Sequence, residues 1–278
     1  MRIAVTGAAG QLATQIVRSL EQGHEVVPLT RQQLDITCLS AANAIARLEP
    51  DLVIHAAAMT NVDGCALDPD AAFRVNALGT RNVALGAQQC GARLLYVSSN
   101  EVFDGRGHEP YMEFDEPAPP NVYGRSKLAG ERFAQQLVSR SYVVRTSWLY
   151  GGEKSHFVTK VLRLIEENRV LRMVTDEVAC PTYAPDLAQA IVALIETDAF
   201  GVYHLVNDGG CSRFDFARAI LTMAGRTDVD LVPIRLAEFS RASIPPRYSV
   251  LRNFAGAQLG VVLRPWQDAL ADYFRRVR

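Results

Sequence analysis

Short, nearly continuous apolar runs alternate along this chain with longer stretches in which apolar residues return every three or four positions. The runs are RIAVT (2–6), EVVPL (25–29), DLVIHA (51–56), RLLYVSS (93–99), SYVVRTS (141–147) and LRMVTD (171–176). Helical patterns follow them over 11–22, 39–48, 70–90, 122–138, 156–168 and 185–197. Runs that are apolar throughout read as strands buried on both faces. Their alternation with helices of this length predicts βαβ crossovers, and so an α/β fold with a doubly wound parallel sheet. A further run, GVYHLVN (201–207), fits the same sheet. Beyond it the pattern weakens. The Pro-containing stretch 233–246 and a final helix over 265–276 predict a small C-terminal lobe interleaved with the sheet.

Composition narrows the picture. The chain has 278 residues, 49% of them hydrophobic, enough to bury a sizeable core. Its net charge of −1 offers no basic footprint for nucleic acid. The first residues read as a strand rather than a leader, and no apolar run approaches ~20 residues, so neither signal peptide nor membrane span is expected. Five scattered cysteines (Cys38, Cys65, Cys90, Cys180, Cys211) form no C-x-x-C pair. They fit reduced thiols in a cytoplasmic protein and give no zinc signature. Loops 100–121 and 243–252 are long and rich in Pro, Gly, aromatic and charged residues, the kind of irregular segment that usually serves function.

The first candidate chemistry lies at VTGAAGQLATQI. Gly7 and Gly10 sit between the first strand and its helix. Glycine there permits a tight turn and lets a pyrophosphate approach backbone N–H groups at a helix N-terminus. The third position of the spacing is Ala13, and a plain strand–helix turn could read the same way; the place at strand 1 of a βαβ series favours the phosphate site. At the end of the second strand, where an acid would select NAD, Arg31 precedes the first acid, Asp35. An arginine suits a 2′-phosphate through forked, charge-assisted hydrogen bonds. NADPH is therefore the expected cofactor, with NADH as the alternative. Asp35 and Ile36 would then border the adenine.

The second is NVYGRSKLAGE (121–131). Of 29 Lys and Arg residues only three are lysines: Lys127, Lys154 and Lys160. Tyr123 and Lys127 stand four apart, on one face of the predicted helix. A neighbouring ammonium would draw the tyrosine pKa down from its ordinary ~10. The plainer alternative is a buried tyrosine beside a Lys127–Glu131 pair. Ser98 and Ser99 end the fourth strand, at the edge where parallel sheets face their ligands. His55 reads as a packed core residue. Asp104, Glu113, Asp115 and Glu116 read as a solvated acidic loop. The pattern of SRFDFARAI (212–220) reads as ordinary helical amphipathicity.

The motifs GAAGQL, HAAAMTNVD, VNALGTRNV, VSSNEVFDG, YGRSKLAGE, RTSWLYG, CPTYAPDLA and YHLVNDG occur in an order that resembles the extended short-chain dehydrogenase/reductases. The likeness is greatest to the dTDP-4-dehydrorhamnose reductase family and covers nearly the whole chain. It implies a Rossmann-type fold, with an NADP-binding domain over 1–150, to which segments near 171–207 return. The substrate-binding lobe would come from 151–170 and 208–278. It implies a catalytic triad of Ser99, Tyr123 and Lys127. It places Gly7, Gly10, Gln11 and Leu12 at the pyrophosphate and Ala56, Ala57 and Ala58 beside the nicotinamide. It assigns Thr60 and Asn76 to the cofactor, and Ser99, Asn100, Glu101, Trp148, Thr182, Tyr183 and Arg247 to the sugar.

The expected activity is NADPH-dependent reduction of a nucleotide-linked 4-keto sugar, with a nucleotide sugar as partner and a homo-oligomer left open. A nucleotide-sugar epimerase or dehydratase, or a non-catalytic NADP-binding regulatory subunit, are the rival readings. Three departures stand out. The family's S-T-D-Y-V-F is SSNEVF here, so Asn100 and Glu101 replace an acid and an aromatic. Its R-P-x-N-S-x-L becomes PPRYSVL, with Pro245 and Tyr248 altered. A glutamate that holds magnesium in some members is Gln15, so no metal is expected.

Overall fold

The computed structural model describes residues 1–152 and 155–277. The chain opens with β1 (Arg2–Thr6), α1 (Gln11–Leu20), β2 (Glu25–Leu29), α2 (Ser40–Ala46) and β3 (Leu52–His55). α3 (Val62–Leu67), α4 (Pro69–Phe73), a π-helical turn at Arg74–Gly79 and α5 (Thr80–Gln89) lead to β4 (Arg93–Ser99). α6 (Val122–Leu137), β5 (Ser141–Thr146), β6 (Leu149–Tyr150) and α7 (Phe157–Glu167) follow. The rest comprises β7 (Val170–Val174), β8 (Val178–Ala179), β9 (Thr182–Tyr183), α8 (Ala184–Ile195), β10 (Gly201–His204), β11 (Cys211–Ser212), α9 (Arg213–Met223), β12 (Asp230–Ile234), α10 (Ala255–Gln258) and α11 (Trp266–Val277).

Six strands form the central sheet in the order β10-β5-β4-β3-β1-β2, all parallel. Alternate residues of each strand serve opposite faces. Ile3, Val5, Leu52, Ile54 and Val144 pack with Ile16, Leu187 and Ile191 under α1 and α8. Ala4, Val53, Leu94 and Val143 pack with Ile45, Val83, Ala87 and Ala134 under α2, α5 and α6. This two-sided burial is why the strands read as unbroken apolar runs. The strand order reverses between β1 and β3. That switch point opens a crevice at the carboxyl ends of the strands, where open α/β sheets bind ligands.

One expectation is corrected here and one is refined. The run at 171–176 becomes β7, but β7 pairs in parallel with β12 and lies outside the six-stranded sheet. Its residues alternate in burial, with Val170 and Arg172 outward and Leu171 inward, the pattern of a half-covered ribbon rather than of a central strand. The helix expected over 70–90 forms as one run from Pro69, at its first position under an Asp68 cap, to Gln89, with a π-helical turn at Arg74–Gly79 inside it. A second core, built from Tyr150, Val161, Ile165, Phe216, Ile220, Trp266, Leu270 and Phe274, holds α7, α9 and α11 together beside the crevice.

Candidate active site

At the first strand–helix turn, Gly7 has φ +70°, a conformation that L side chains rarely adopt. A Cβ on it would lie 2.7 Å from the Ala57 Cα, so β1 and the segment after β3 meet here backbone to backbone. The Gly10 N–H donates to the Gly7 carbonyl (2.7 Å), and Gly10 begins α1 with no side-chain cap. The N–H groups of the first turn, those of Gln11 and Leu12 among them, therefore have no helical partner. Leu12 takes part by its backbone alone, because its side chain is buried in the core. The Gln11 side chain lies against Gly152, and its Nε2 is buried with no acceptor among the described residues. Unpaired donors, a positive helix end and a glycine cradle together fit a pyrophosphate.

Arg31 stands exposed in the turn after β2. Asp35 accepts hydrogen bonds from the Thr37 N–H (3.0 Å) and hydroxyl (2.7 Å), which hold its carboxyl below the ordinary carboxylate range. The Ile36 side chain is buried against Gly79, and its carbonyl accepts from Asn82 (2.9 Å). Ala56, Ala57 and Ala58 line the chain just beyond β3, half-buried, and Thr60 is exposed after them. Asn76 is fully buried, bonds Met59 through both its oxygen and its nitrogen, and donates to the Ser126 hydroxyl (2.9 Å). It braces the 56–60 segment against α6.

Asn121 caps α6 by accepting the Gly124 N–H at 2.8 Å, which sets Tyr123 and Lys127 on the face turned to β4. Ser99 ends β4 and caps the one-turn 3-10 helix Asn100–Val102, its hydroxyl accepting the Glu101 N–H (3.2 Å). Tyr123 is 9% exposed and packs with Cys65 and Ala72. Burial raises its pKa well above the ordinary value, the Glu101 charge raises it further, and the Ser99 hydroxyl opposes both. Lys127 is 2% exposed; its Nζ donates to the Val97 carbonyl at 2.7 Å and lies 4.2 Å from the Tyr96 ring centre. Burial lowers its pKa to about 7 against the pull of Glu131. Glu131 does not pair with Lys127. It takes both Arg145 Nε (3.0 Å) and Nη2 (2.8 Å), and the Ser98 hydroxyl at 2.5 Å. Ser98 therefore points away from the crevice, leaving Ser99 to face it. His55, as expected, is core: its ring meets Thr6 (2.7 Å) and Thr80 (3.1 Å) and is held neutral by burial. The Thr80 hydroxyl donates to the Asn76 carbonyl, so it accepts from His55 Nε2.

On the substrate side the residues separate. Thr182 is wholly buried and Tyr183 nearly so, Tyr183 packed in the lobe core. Asn100 is also buried; its Nδ2 donates to the Ser249 hydroxyl at 2.7 Å, tying the β4 end to segment 248–250. Glu101 is half-buried, close enough for its charge to raise the Tyr123 pKa. The chain turns here into the 3-10 helix rather than continuing as a strand. Trp148 carries φ +39°, and the Arg213 guanidinium stacks 3.5 Å over its ring. Arg247 is exposed at the end of a strap, residues 241–247, that crosses between the lobe and the sheet domain. Asp63 holds this strap through Arg241 Nε (3.2 Å) and the Ser243 N–H (2.9 Å), and Asn121 donates to the Ile244 carbonyl (3.1 Å).

The sequence reading missed Arg213, Glu177, Arg241 and Asp63. Each looks like an ordinary surface charge in one dimension; only the strap across the crevice brings them together. Glu113 is another correction. Rather than being solvated, it is buried, and its Oε1 accepts the N–H groups of His204, Phe254 and Ala255.

A doubly wound parallel sheet, a glycine turn at its switch point and a serine, tyrosine and lysine grouped beside it define a short-chain dehydrogenase/reductase of the extended kind. The family model described as RmlD substrate binding domain matches residues 1–278, and the chain belongs to that family. It is 40% identical over 278 residues to the dTDP-4-dehydrorhamnose reductase of Mycobacterium tuberculosis, covering 97% of this chain and 91% of that one. A solved dTDP-4-dehydrorhamnose reductase from Clostridium acetobutylicum superposes with a TM-score of 0.96 at 38% identity, covering 100% and 99% of the two chains. Another from Bacillus anthracis, in complex with NADP, gives 0.95 at 38% identity over 99% of each chain.

Proposed function

We propose that this chain reduces the carbonyl of a dTDP-linked 4-keto-6-deoxy sugar with NADPH. The observation that carries the reading is the grouping of Ser99, Tyr123 and Lys127 at the carboxyl end of β4 and the start of α6, beside a crevice whose opposite wall is the glycine turn. Family membership and the reductases named above support it. Gly7, Gly10, Gln11 and the first turn of α1 would hold the pyrophosphate, and Arg31 the 2′-phosphate. The nicotinamide supplies a hydride when bound.

The chain's own residues supply the rest. Tyr123, kept as a neutral phenol by burial and by Glu101, gives its proton to the oxygen of the reduced carbon, a general-acid step contributing ~10²–10⁴-fold. Ser99 donates a hydrogen bond to the same oxygen as charge develops there. Lys127, anchored on Val97, would hold the ribose of the bound cofactor. The lobe and the strap at 241–247 enclose the sugar nucleotide and exclude water. The test is steady-state oxidation of NADPH on adding dTDP-4-keto-6-deoxy sugars, followed at the nicotinamide absorbance. Stoichiometric loss of NADPH is expected. Turnover of the sugar without net NADPH loss would indicate an epimerase or dehydratase instead, and tight NADPH binding with no turnover would indicate a regulatory subunit.

A further inference from the structure

Within the proposed sugar side of the crevice stand three acids, Asp63, Glu101 and Glu177, and two bases, Arg213 and Arg241. The bases are engaged elsewhere. Arg213 places Nε (3.1 Å) and Nη2 (3.0 Å) on Glu177 Oε1. Arg241 places Nε on Asp63 and comes within 3.9 Å of Glu177. Glu101 pairs with neither: among the described residues its carboxylate has one hydrogen bond, from Asn121 Nδ2 to Oε2, at 2.6 Å. That same amide group also holds the Ile244 carbonyl, and the Asn121 oxygen caps the Tyr123 helix, so Asn121 is fixed and fixes Oε2. Asn100 and Val102 on either side are buried, whereas Glu101 is partly exposed and lies near enough to Tyr123 for its charge to act on it.

An ionised carboxylate has about four acceptor sites. Leaving one half-buried with a single neutral donor is unfavourable. Burial accordingly pushes the Glu101 pKa up to about 7, against the Asn121 bond and the two arginines and with the help of Glu177. The donor that Glu101 lacks can come only from the crevice side, where Ser99 and Tyr123 also face.

Building on the reductase reading, we propose that Glu101 is a specificity-determining residue: its free oxygen accepts a hydrogen bond from a hydroxyl or ammonium on the sugar carbon next to the reacting carbonyl. The chemistry is that of a hydrogen-bond donor. A neutral hydroxyl and a cationic amine are its two sources.

The experiment compares kcat/KM for 4-keto sugar nucleotides that differ only at that carbon, bearing a hydroxyl, an amine or hydrogen. The parent, Glu101→Leu and Glu101→Gln are assayed between pH 6 and 8.5. The parent should favour a donor-bearing sugar over its deoxy counterpart by ~10²-fold or more, since an unpaired polar group rejects a ligand strongly. In Glu101→Leu that preference should collapse to a few-fold, read as the ratio between the two sugars so that any change in Tyr123 acidity from loss of the Glu101 charge cancels.

In the parent the preference should also shrink below about pH 7, as Glu101 takes up a proton, while Glu101→Gln stays flat. The facing groups Glu177, Arg213, Arg241 and Tyr123 are common to both proteins. Loss confined to the amine in Glu101→Gln identifies the ammonium as the source; equal loss on both sugars identifies charge-assisted acceptance from either. An undiminished preference in Glu101→Leu overturns the proposal. Should that variant not fold, a Glu101→Gln enzyme with the parent's preference and pH profile overturns it equally. A parent that oxidises no NADPH with any of these sugars fails at the earlier step and takes both readings down.

Discussion

Gly124 offers a direct test of how the site is assembled. It is the third residue of α6, where replacing glycine by alanine ordinarily stabilises by ~0.5–1 kcal/mol. Here the geometry reverses the sign. A Cβ on Gly124 would lie 2.0 Å from the Glu101 carbonyl oxygen and 2.8 Å from Pro119 Cβ, so the helix start and the turn after Ser99 touch through backbone. Ordinary contact begins near 3.4 Å, so one side must move by more than ~1 Å. Neither side moves freely, because Asn121 links both through the Gly124 N–H and the Glu101 carboxylate. Overpacking of this kind costs ~1–3 kcal/mol. Net of the helix gain, Gly124→Ala should lose ~1–2 kcal/mol of stability. The larger effect falls on chemistry, because the shift separates Ser99 from Tyr123, and ~1 Å of misplacement can cost ~10²-fold. Urea melts and kcat on the same preparation measure both. Gly23→Ala is the control, since nothing lies within 4 Å of its Cβ, and it should stay within ~0.5 kcal/mol of the parent. A Gly124→Ala enzyme as stable and as fast as the parent would refute the reasoning.

Three further outcomes are expected. Tyr123→Phe should lower kcat by at least ~10²-fold with NADPH affinity nearly unchanged; activity within a few-fold of the parent would remove Tyr123 as proton donor. Arg31→Ala should weaken NADPH by ~1.5–3 kcal/mol and leave NADH alone, and titrations showing equal losses would mean that Arg31 does not read the 2′-phosphate. His55 is buried neutral, its pKa lowered from 6.5 to about 3, so the unfolded chain takes up that proton first on acidification. Its contribution to stability is therefore full above pH 6.5 and is lost progressively as pH falls toward 3, by up to ~1.4 kcal/mol per pH unit. The slope of melting temperature against pH should be shallower in His55→Gln, and an identical slope would exclude His55 as the titrating group.

What the sequence revealed divides along physical lines. Strands buried on both faces announce themselves as apolar runs, so β1 to β5 and β10 were legible. β7 was misassigned to the central sheet because a short alternating strand in a ribbon resembles a central one until its partner, β12, is known. The glycine turn and the Tyr123–Lys127 spacing were legible because they depend on neighbours within a few residues. Thr182 and Asn76 were assigned to ligands by likeness alone, and the bonds that bury Asn76, to Met59 and Ser126, leave no local pattern in the sequence. Arg213, Arg241 and Asp63 were missed because their partners lie far along the chain: Asp63 and Ser243 are 180 residues apart. Such a contact leaves no local pattern. Glu113 misled for the opposite reason, since its neighbours Asp115 and Glu116 make it look like one charge in a solvated cluster, whereas three backbone N–H groups from distant segments neutralise it.

The place of Lys127 shows why this chain, which otherwise writes arginine, keeps a lysine one turn after Tyr123. The side chain is buried, and its head has one carbonyl, that of Val97, and one ring face, that of Tyr96. Arginine would bring five donors in a planar fork to a space that satisfies one. Lysine's compact head fits, and it can lose its proton: burial takes its pKa to about 7. The acid four residues on cannot pair with it, because Arg145 and Ser98 already occupy both oxygens of Glu131. Glu131 still raises the Lys127 pKa at a distance, which keeps a charge available in a site that disfavours it. In this geometry Tyr123 owes its neutral phenol to burial and to Glu101, not to the ammonium. The carboxylate that holds the proton on Tyr123 is thus the same one proposed to accept from the sugar. A ligand donor that satisfies Glu101 would reduce its negative field on Tyr123, lower the tyrosine pKa and ease proton release, coupling recognition of the sugar to the acid strength of the donor beside it.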